Sequence, residues 1–369
     1  MKTTEKHLHE PLFHITRRTD ISAAKAWMIR LLAILAALIV CALVIVTITD
    51  YNPLQVYVKM FEGSFSSERK IMMLLQNIAM LLCISLAVTP AFKMRFWNLG
   101  AEGQVLVGGL ASAACMFYAG DSIPSPLLIL VMLVTSILSG VIWGLIPAFF
   151  KSFWGTNESL FTLMMNYVAM QLVAFCIMVW VPSGSNVMGI INQNSQSGWL
   201  PELFGQKYLI NILIVAVLTV VMFVYLKYSK QGYEIAVVGE SENTARYVGI
   251  NVKKVIMRTM VISGGICGLA GFLLVSGTNH TVSKELAGGM GFTAIMVSWL
   301  AKFNPLMMVL TSFLIVFLQR GASEIATAFR LNESVSDILT GIIIFFIIGC
   351  EFFINYKINK KSKKKEAVA

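Results

Sequence analysis

Charge is scarce in this sequence. Asp, Glu, Lys and Arg make up 13% of its 369 residues, where a soluble domain carries about 25%. Hydrophobic residues reach 57% and the mean hydropathy is +0.75. These values exclude a soluble protein with a single anchor and predict an all-α, polytopic protein surrounded by membrane lipid. Nucleic acid is excluded as a partner despite a formal net charge of +10, because the cations fall at the ends of apolar runs. The positive-inside rule accounts for that placement.

Motifs that carry chemistry are missing as well. There is no GxxxxGK followed by Ser or Thr, so ATP is not bound by a phosphate loop, and there is no HExxH. The six cysteines (Cys41, Cys83, Cys115, Cys176, Cys267, Cys350) lie singly in apolar runs without metal or redox spacing, which leaves them a packing role. The four histidines lack carboxylate or cysteine partners at ligand spacing, and His280 is expected as a polar surface residue in a loop. No nucleophile, base and oxyanion group are spaced for catalysis. The expectation is therefore no catalytic residue, no metal and no cofactor, which leaves transport, scaffolding or anchoring. Residues 1–20 are polar and include His7, His9 and His14, so no cleaved signal peptide is expected.

Hydropathy divides the chain into ten expected spans, at about 31–49, 71–92, 98–118, 127–150, 160–181, 209–226, 255–276, 291–300, 306–318 and 336–354. Longer polar connections are expected at 50–70, 182–207 and 319–335. Pro90 is expected to break or kink the end of the second span. The eighth span is too short to cross about 30 Å of hydrocarbon as a simple helix, and a re-entrant path there would reverse the side of the C-terminal tail. With ten crossings, 22 of the 29 Lys and Arg residues fall on the side of the termini. That bias predicts cytoplasmic termini. The expected organisation is a cytoplasmic tail at 1–30, a transmembrane domain at 31–356 with a cytoplasmic loop at 227–258, and a lysine-rich tail at 357–369. Five spans on each side of that loop predict inverted repeats with discontinuous helices. Glycine-rich breaks at 98–103 and 288–291 occupy matching places. They either mark a pathway or let helices pack closely.

The central loop carries one short helix signal. Ser241 is an N-cap, Glu242 follows at the positive end of the dipole, Arg246 lies near the negative end, and Gly249 suits the left-handed stop. Two turns over 242–248 are unstable alone and need something to pack on, for which Ala245, Tyr247 and Val248 offer an apolar surface. An ordinary connecting loop is the other reading.

Three further stretches stand out: FWNLGAEGQVLVGG with Asn98, Glu102 and Gln104, GTNESLFTLMMNY with Asn166, and GGMGFTAIMVSWLAKFNP with Phe292. Glu102 either binds substrate or caps the first turn of the third span. Together with GESENTARYVGINVKKV, these stretches resemble, in order over about 96–305, the signatures of permease subunits of ATP-binding-cassette importers. The type is the branched-chain amino acid and simple-sugar one, and the nearest subgroup handles nucleosides with basic-membrane-lipoprotein binding proteins. Trp299 and Ala301 depart from the family pattern.

The resemblance implies a permease in the bacterial inner membrane that pairs with a second, related permease. It implies separate ATPase subunits below and an extracellular substrate-binding lipoprotein above. By match, Glu240, Ser241, Asn243, Ala245, Arg246, Tyr247 and Gly249 form the ATPase-coupling helix. Asn98, Glu102, Gln104, Asn166 and Phe292 are the substrate-pathway candidates. Nucleosides are the expected solute, with simple sugars or branched-chain amino acids as the alternative. An ion-gradient transporter or a scaffold are the rivals outside the family.

Overall fold

The computed structural model describes residues 13–18, 21–48, 52–120, 122–181, 188–330 and 333–360. Parts of the expected tails at 1–30 and 357–369, and part of the 182–207 connection, lie outside them. In chain order the elements are β1 (Phe13–Arg17), α1 (Ala23–Ile48), α2 (Pro53–Phe65), α3 (Glu68–Lys93), α4 (Ala101–Ala119), α5 (Ser125–Trp154), α6 (Glu158–Trp180) and α7 (Leu209–Tyr228). They continue with α8 (Lys230–Glu240), α9 (Glu242–Tyr247), α10 (Val252–Leu274), a π-helical turn (Val275–Asn279), α11 (Met290–Leu300), α12 (Pro305–Ala328), α13 (Glu333–Asn355) and β2 (Tyr356–Lys360).

Among the described residues, eight helices are long and apolar enough to cross a membrane: α1, α3, α5, α6, α7, α10 with its π-helical turn, α12 and α13. The protein is polytopic and all-α; among the described residues, β structure is confined to the short β1–β2 ladder and an isolated bridge between Leu203 and Gln206. α4, with 19 residues, and α11, with 11, complete the apolar set.

Several boundaries differ from the sequence reading. α1 starts at Ala23, inside the expected tail, because the alanines and Trp27 continue its helical run. The 50–70 connection holds the 13-residue α2. α12 runs on to Ala328, through most of the expected 319–335 connection. Polar residues there do not stop a helix that lacks Gly or Pro breakers in its last two turns. Pro90 does not end α3, which continues to Lys93. Proline so near a C-terminus forfeits only one backbone bond.

The chain packs as two compact units. One consists of residues up to Met60 and from Gly321 onward. In it α1 packs along α13, fixed by a 2.7 Å ion pair between Arg30 and Glu351. β1 pairs antiparallel with β2, from Phe13 opposite Lys360 to Arg17 opposite Tyr356. Phe13 and Lys360, where the described residues begin and end, therefore lie side by side.

The other unit, Phe61–Arg320, carries the main core. α10 runs through it, packed on α3, α4 and α5. Small residues line the α4–α5–α10 contact, and the Ser136 hydroxyl donates to the carbonyls of both Gly108 (2.9 Å) and Gly268 (2.6 Å). Close approach of small residues is how helices pack where lipid supplies no hydrophobic drive between them. The turn between α5 and α6 is built as its sequence suggests. Gly155 takes φ 66°, Asn157 caps α6 by accepting from the Leu160 N–H, and Lys151 pairs with Glu158 at 2.8 Å.

Candidate functional site

Two helices of this unit begin midway through the bundle. The chain leaves α3 at the end that packs on α8, where the Lys93 ammonium donates to the Leu226 carbonyl. It then re-enters through residues 94–100. Asn98 reaches the depth of Ser263, the middle of α10, and donates to its hydroxyl at 3.2 Å. α4 starts there and runs to the face bearing residues 188–200, where Asn192 donates to the Met116 carbonyl. α11 starts at the same depth and runs the opposite way. Its Ser298 donates to the Ser85 carbonyl, and Trp299 packs on Phe92 and Trp97 near the α8 face.

Glu102 joins the two starts. Its carboxylate, 4% exposed, accepts from the Gly289 N–H at 2.8 Å and the Gly291 N–H at 2.7 Å. These are orphan donors at the beginning of α11, so Glu102 caps α11 from the first turn of α4. Of the two roles the sequence leaves open for Glu102, the capping one points to its own helix; the tertiary fold sends the carboxylate to another.

The remaining pathway candidates divide. Asn166 on α6 accepts from the Gly103 N–H and donates to the Leu99 carbonyl, both at 2.8 Å. Thr162, one turn earlier, accepts from the Leu99 N–H. The stretches around 98–104 and 155–167, separate in sequence, thus meet as one support for the break. Asn98 accepts from the Gly100 N–H and shares bonds with Gln104, and both are buried. Phe292 is exposed beside the start of α11. Thr162 lies in the GTNESLFTLMMNY stretch without being among the pathway candidates, and Ser263 escapes sequence reasoning, because a single hydroxyl in an apolar helix carries no pattern.

The 227–258 stretch is almost wholly helical. α7 and α10 enter it, and α8 precedes the expected short helix. α8 is hidden in the sequence because KQGYEIAVVGE mixes polar and apolar residues without a strong face. Ser229 caps it, accepting from the Gly232 N–H. Ile235 and Val238 pack with Ala245, Val252 and Val255 in a second core cluster, and Arg258 ties α10 to Glu234 at 2.6 Å.

α9 has the expected ends. The Ser241 hydroxyl accepts from the Thr244 N–H, and Arg246 pairs with Glu242 at 3.3 Å. The stop is a Schellman motif: Ile250 N–H donates to the Ala245 carbonyl, Gly249 N–H to that of Arg246, and Gly249 takes φ +83°. Only Ala245 is buried, while Tyr247 is 93% exposed with Val248 exposed beside it. Asn243 is exposed, as is Glu240 at the end of α8.

On the opposite face His280 is buried, contrary to the expected surface residue. It ends the π-helical turn at φ 53° and stacks on Trp199, ring centroids 3.7 Å apart. Burial, then the Lys207 ammonium, pull its imidazole down to about 4.

Multiple apolar spans, two half-depth helix starts facing opposite ways and a small uncovered helix at one face define a membrane protein of the transporter class, built with discontinuous helices. The chain belongs to the family described as branched-chain amino acid transport system / permease component, whose model matches residues 70–348. It is 28% identical over 343 residues to the guanosine ABC transporter permease protein of Bacillus subtilis, covering 91% of this chain and 97% of that one. It is 26% identical over 354 residues to the nucleoside ABC transporter permease protein of Lactococcus lactis subsp. cremoris, covering 93% and 96%. It is also 26% identical over 352 residues to the glucose ABC transporter permease protein of Haloferax volcanii, covering 92% of each.

Proposed function

We propose that this permease forms the membrane pathway of an ATP-driven importer for nucleosides. A separate ATPase powers it and an extracellular lipoprotein delivers the solute. The observation that carries the reading is α9. A six-residue helix does not persist without packing; Ala245 packs it on Ile235, Val238 and Val252, while its tip presents Tyr247 and Val248 uncovered. A groove on an ATPase supplies a partner for that tip. Glu240, Ser241, Asn243, Ala245, Arg246, Tyr247 and Gly249 are the coupling residues: the apolar tip makes contact, and the cap and stop hold its shape. Nucleosides are favoured by the guanosine and nucleoside relatives. Simple sugars are the second reading, favoured by the glucose relative.

The ten crossings comprise the eight long helices with α4 and α11, arranged as inverted five-helix repeats. The breaks at 98–103 and 288–291 are their matching discontinuities. Glu102, Asn98, Gln104 and Asn166 set the walls of the pathway at mid-depth, and Phe292 faces the solute. The bacterial inner membrane holds the chain beside a second, related permease, with both tails and the 227–258 segment in the cytoplasm. The charge bias supports that orientation, and the pairing of β1 with β2 supports a common side for the two ends of the chain.

The test is reconstitution of both permeases, the ATPase and the lipoprotein in vesicles. ATP-dependent guanosine uptake is expected. Uptake driven by an ion gradient without the ATPase overturns the reading. Labelling a cysteine at position 243 from each side of sealed cells tests orientation: reaction from outside overturns the topology.

A further inference from the structure

α10 does not finish as an α-helix. Its last turn widens into the π-helical turn Val275–Asn279. Such insertions are rare in helices and gather at functional sites. Thr278, on this turn, lies between two buried carboxamides: Gln76 on α3, 2% exposed, and Asn211 in the first turn of α7, 1% exposed.

Gln76 Nε2 donates to Thr278 Oγ1 at 2.6 Å, and Asn211 Nδ2 donates to the same oxygen at 3.3 Å and to the Leu273 carbonyl at 3.4 Å. Thr278 Oγ1 donates in turn to the Leu273 carbonyl. Each amide nitrogen thereby has an acceptor. The amide oxygens, Gln76 Oε1 and Asn211 Oδ1, are buried and accept nothing from the described residues. Two acceptors without donors, from two spans and beside one hydroxyl, are a costly arrangement inside an apolar bundle. Polar groups at such depth are retained where they serve a path or ligand.

The chemistry of the missing donor is constrained. Uncharged acceptor oxygens repel carboxylates and phosphates, so an anionic solute does not fit. A neutral solute that donates from adjacent hydroxyls does. We propose that Gln76, Asn211 and Thr278 form a binding station for the vicinal diol of a neutral ribosyl or sugar solute, with the π-helical turn as its movable wall. The turn is strapped by residues 188–200. Ile191 N–H donates to the His280 carbonyl at 2.8 Å, Leu200 N–H to that of Ser276 at 3.0 Å, and the Ser276 hydroxyl to that of Gly198 at 2.6 Å. A solute reaches the two buried carboxamides and the half-buried Thr278 when this strap lifts the turn.

The inference rests on the importer reading and deepens it. In the reconstituted complex, the lipoprotein is preloaded to saturation with guanosine or with its dideoxy analogue, which lacks the ribosyl diol. Turnover is compared for wild type, Gln76→Met, Asn211→Leu and the milder Gln76→Asn, which withdraws the oxygen by one methylene. Guanosine turnover is expected to fall roughly tenfold in the first two variants while analogue turnover holds, because a hydrogen-bonding site discriminates through the groups it satisfies. An equal fall for both solutes, or no fall for guanosine, overturns the inference. If Gln76→Met and Asn211→Leu do not accumulate, Gln76→Asn decides by the same ratio. If the wild type carries glucose and not guanosine, the nucleoside reading fails alone. Glucose and a deoxy analogue lacking its diol then put the station to the same test.

Discussion

Glu102 accepts a 2.7 Å hydrogen bond from the Gly291 N–H across 189 positions of sequence. Its other oxygen accepts from Gly289. One carboxylate thus fastens the starts of two helices that run in opposite directions from the middle of the bundle.

Both carboxylate oxygens are used as acceptors, which sets the outcome at this position. Glu102→Gln keeps one acceptor and turns an NH2 group toward a backbone N–H. A loss of about 1–3 kcal/mol is expected, read as reduced thermal stability in detergent with membrane abundance largely retained. Glu102→Lys points a cation at the N-terminus of α11 and should abolish accumulation. If Glu102→Gln melts like wild type yet transports nothing, the carboxylate acts on the solute instead.

Gly291→Ala tests how closely the two starts approach. A Cβ there would lie 2.6 Å from the Glu102 nitrogen and 2.7 Å from its Oε2. α11 must back away and stretch the cap, at a cost of about 1–3 kcal/mol. A fall of several degrees in melting temperature is expected, and an unchanged value would show the contact is slack.

α9 should be separable from folding. Tyr247→Ala removes a side chain that touches little of its own protein, so the melting temperature should hold while coupled ATP hydrolysis falls. Gly249→Val strains the left-handed stop, whereas Gly249→Asn tolerates it. Arg246→Glu breaks an exposed pair that contributes at most about 1 kcal/mol, and it reverses charge at the docking face. Substrate-stimulated ATP hydrolysis should fall for Gly249→Val and Arg246→Glu and persist for Gly249→Asn. Equal activity in all four variants would remove the coupling role.

His280 gives the 188–200 segment a pH dependence. Its folded value of about 4 lies below the ordinary 6.5, so the unfolded form binds the proton first as pH falls. Stability from the neutral imidazole is complete above about pH 6.5 and is lost as pH drops toward 4. Hydrogen exchange in residues 188–200 should quicken over that window, and His280→Gln should flatten the response. Exchange that is level from pH 7 to 4 in wild type would overturn this account.

The class of protein was legible because it rests on local quantities. Scarce charge and long apolar runs dictate helices in lipid, where backbone groups must be satisfied within the segment. The α9 cap and stop were legible for the same reason: Ser241, Glu242, Arg246 and Gly249 act within two turns of one another. Apolar length could not divide α12 correctly, since Gln319 and Arg320 read as a boundary while helix propensity carried through them. Tertiary structure alone decided where the polar side chains of the spans were spent. Glu102 serves α11 across 187 and 189 positions, Asn166 supports a break 63 residues away, and Gln76 and Asn211 meet at Thr278. A hydrogen-bond partner is fixed by distance in space, and a chain that folds back through a membrane many times leaves no trace of that distance in the order of its residues.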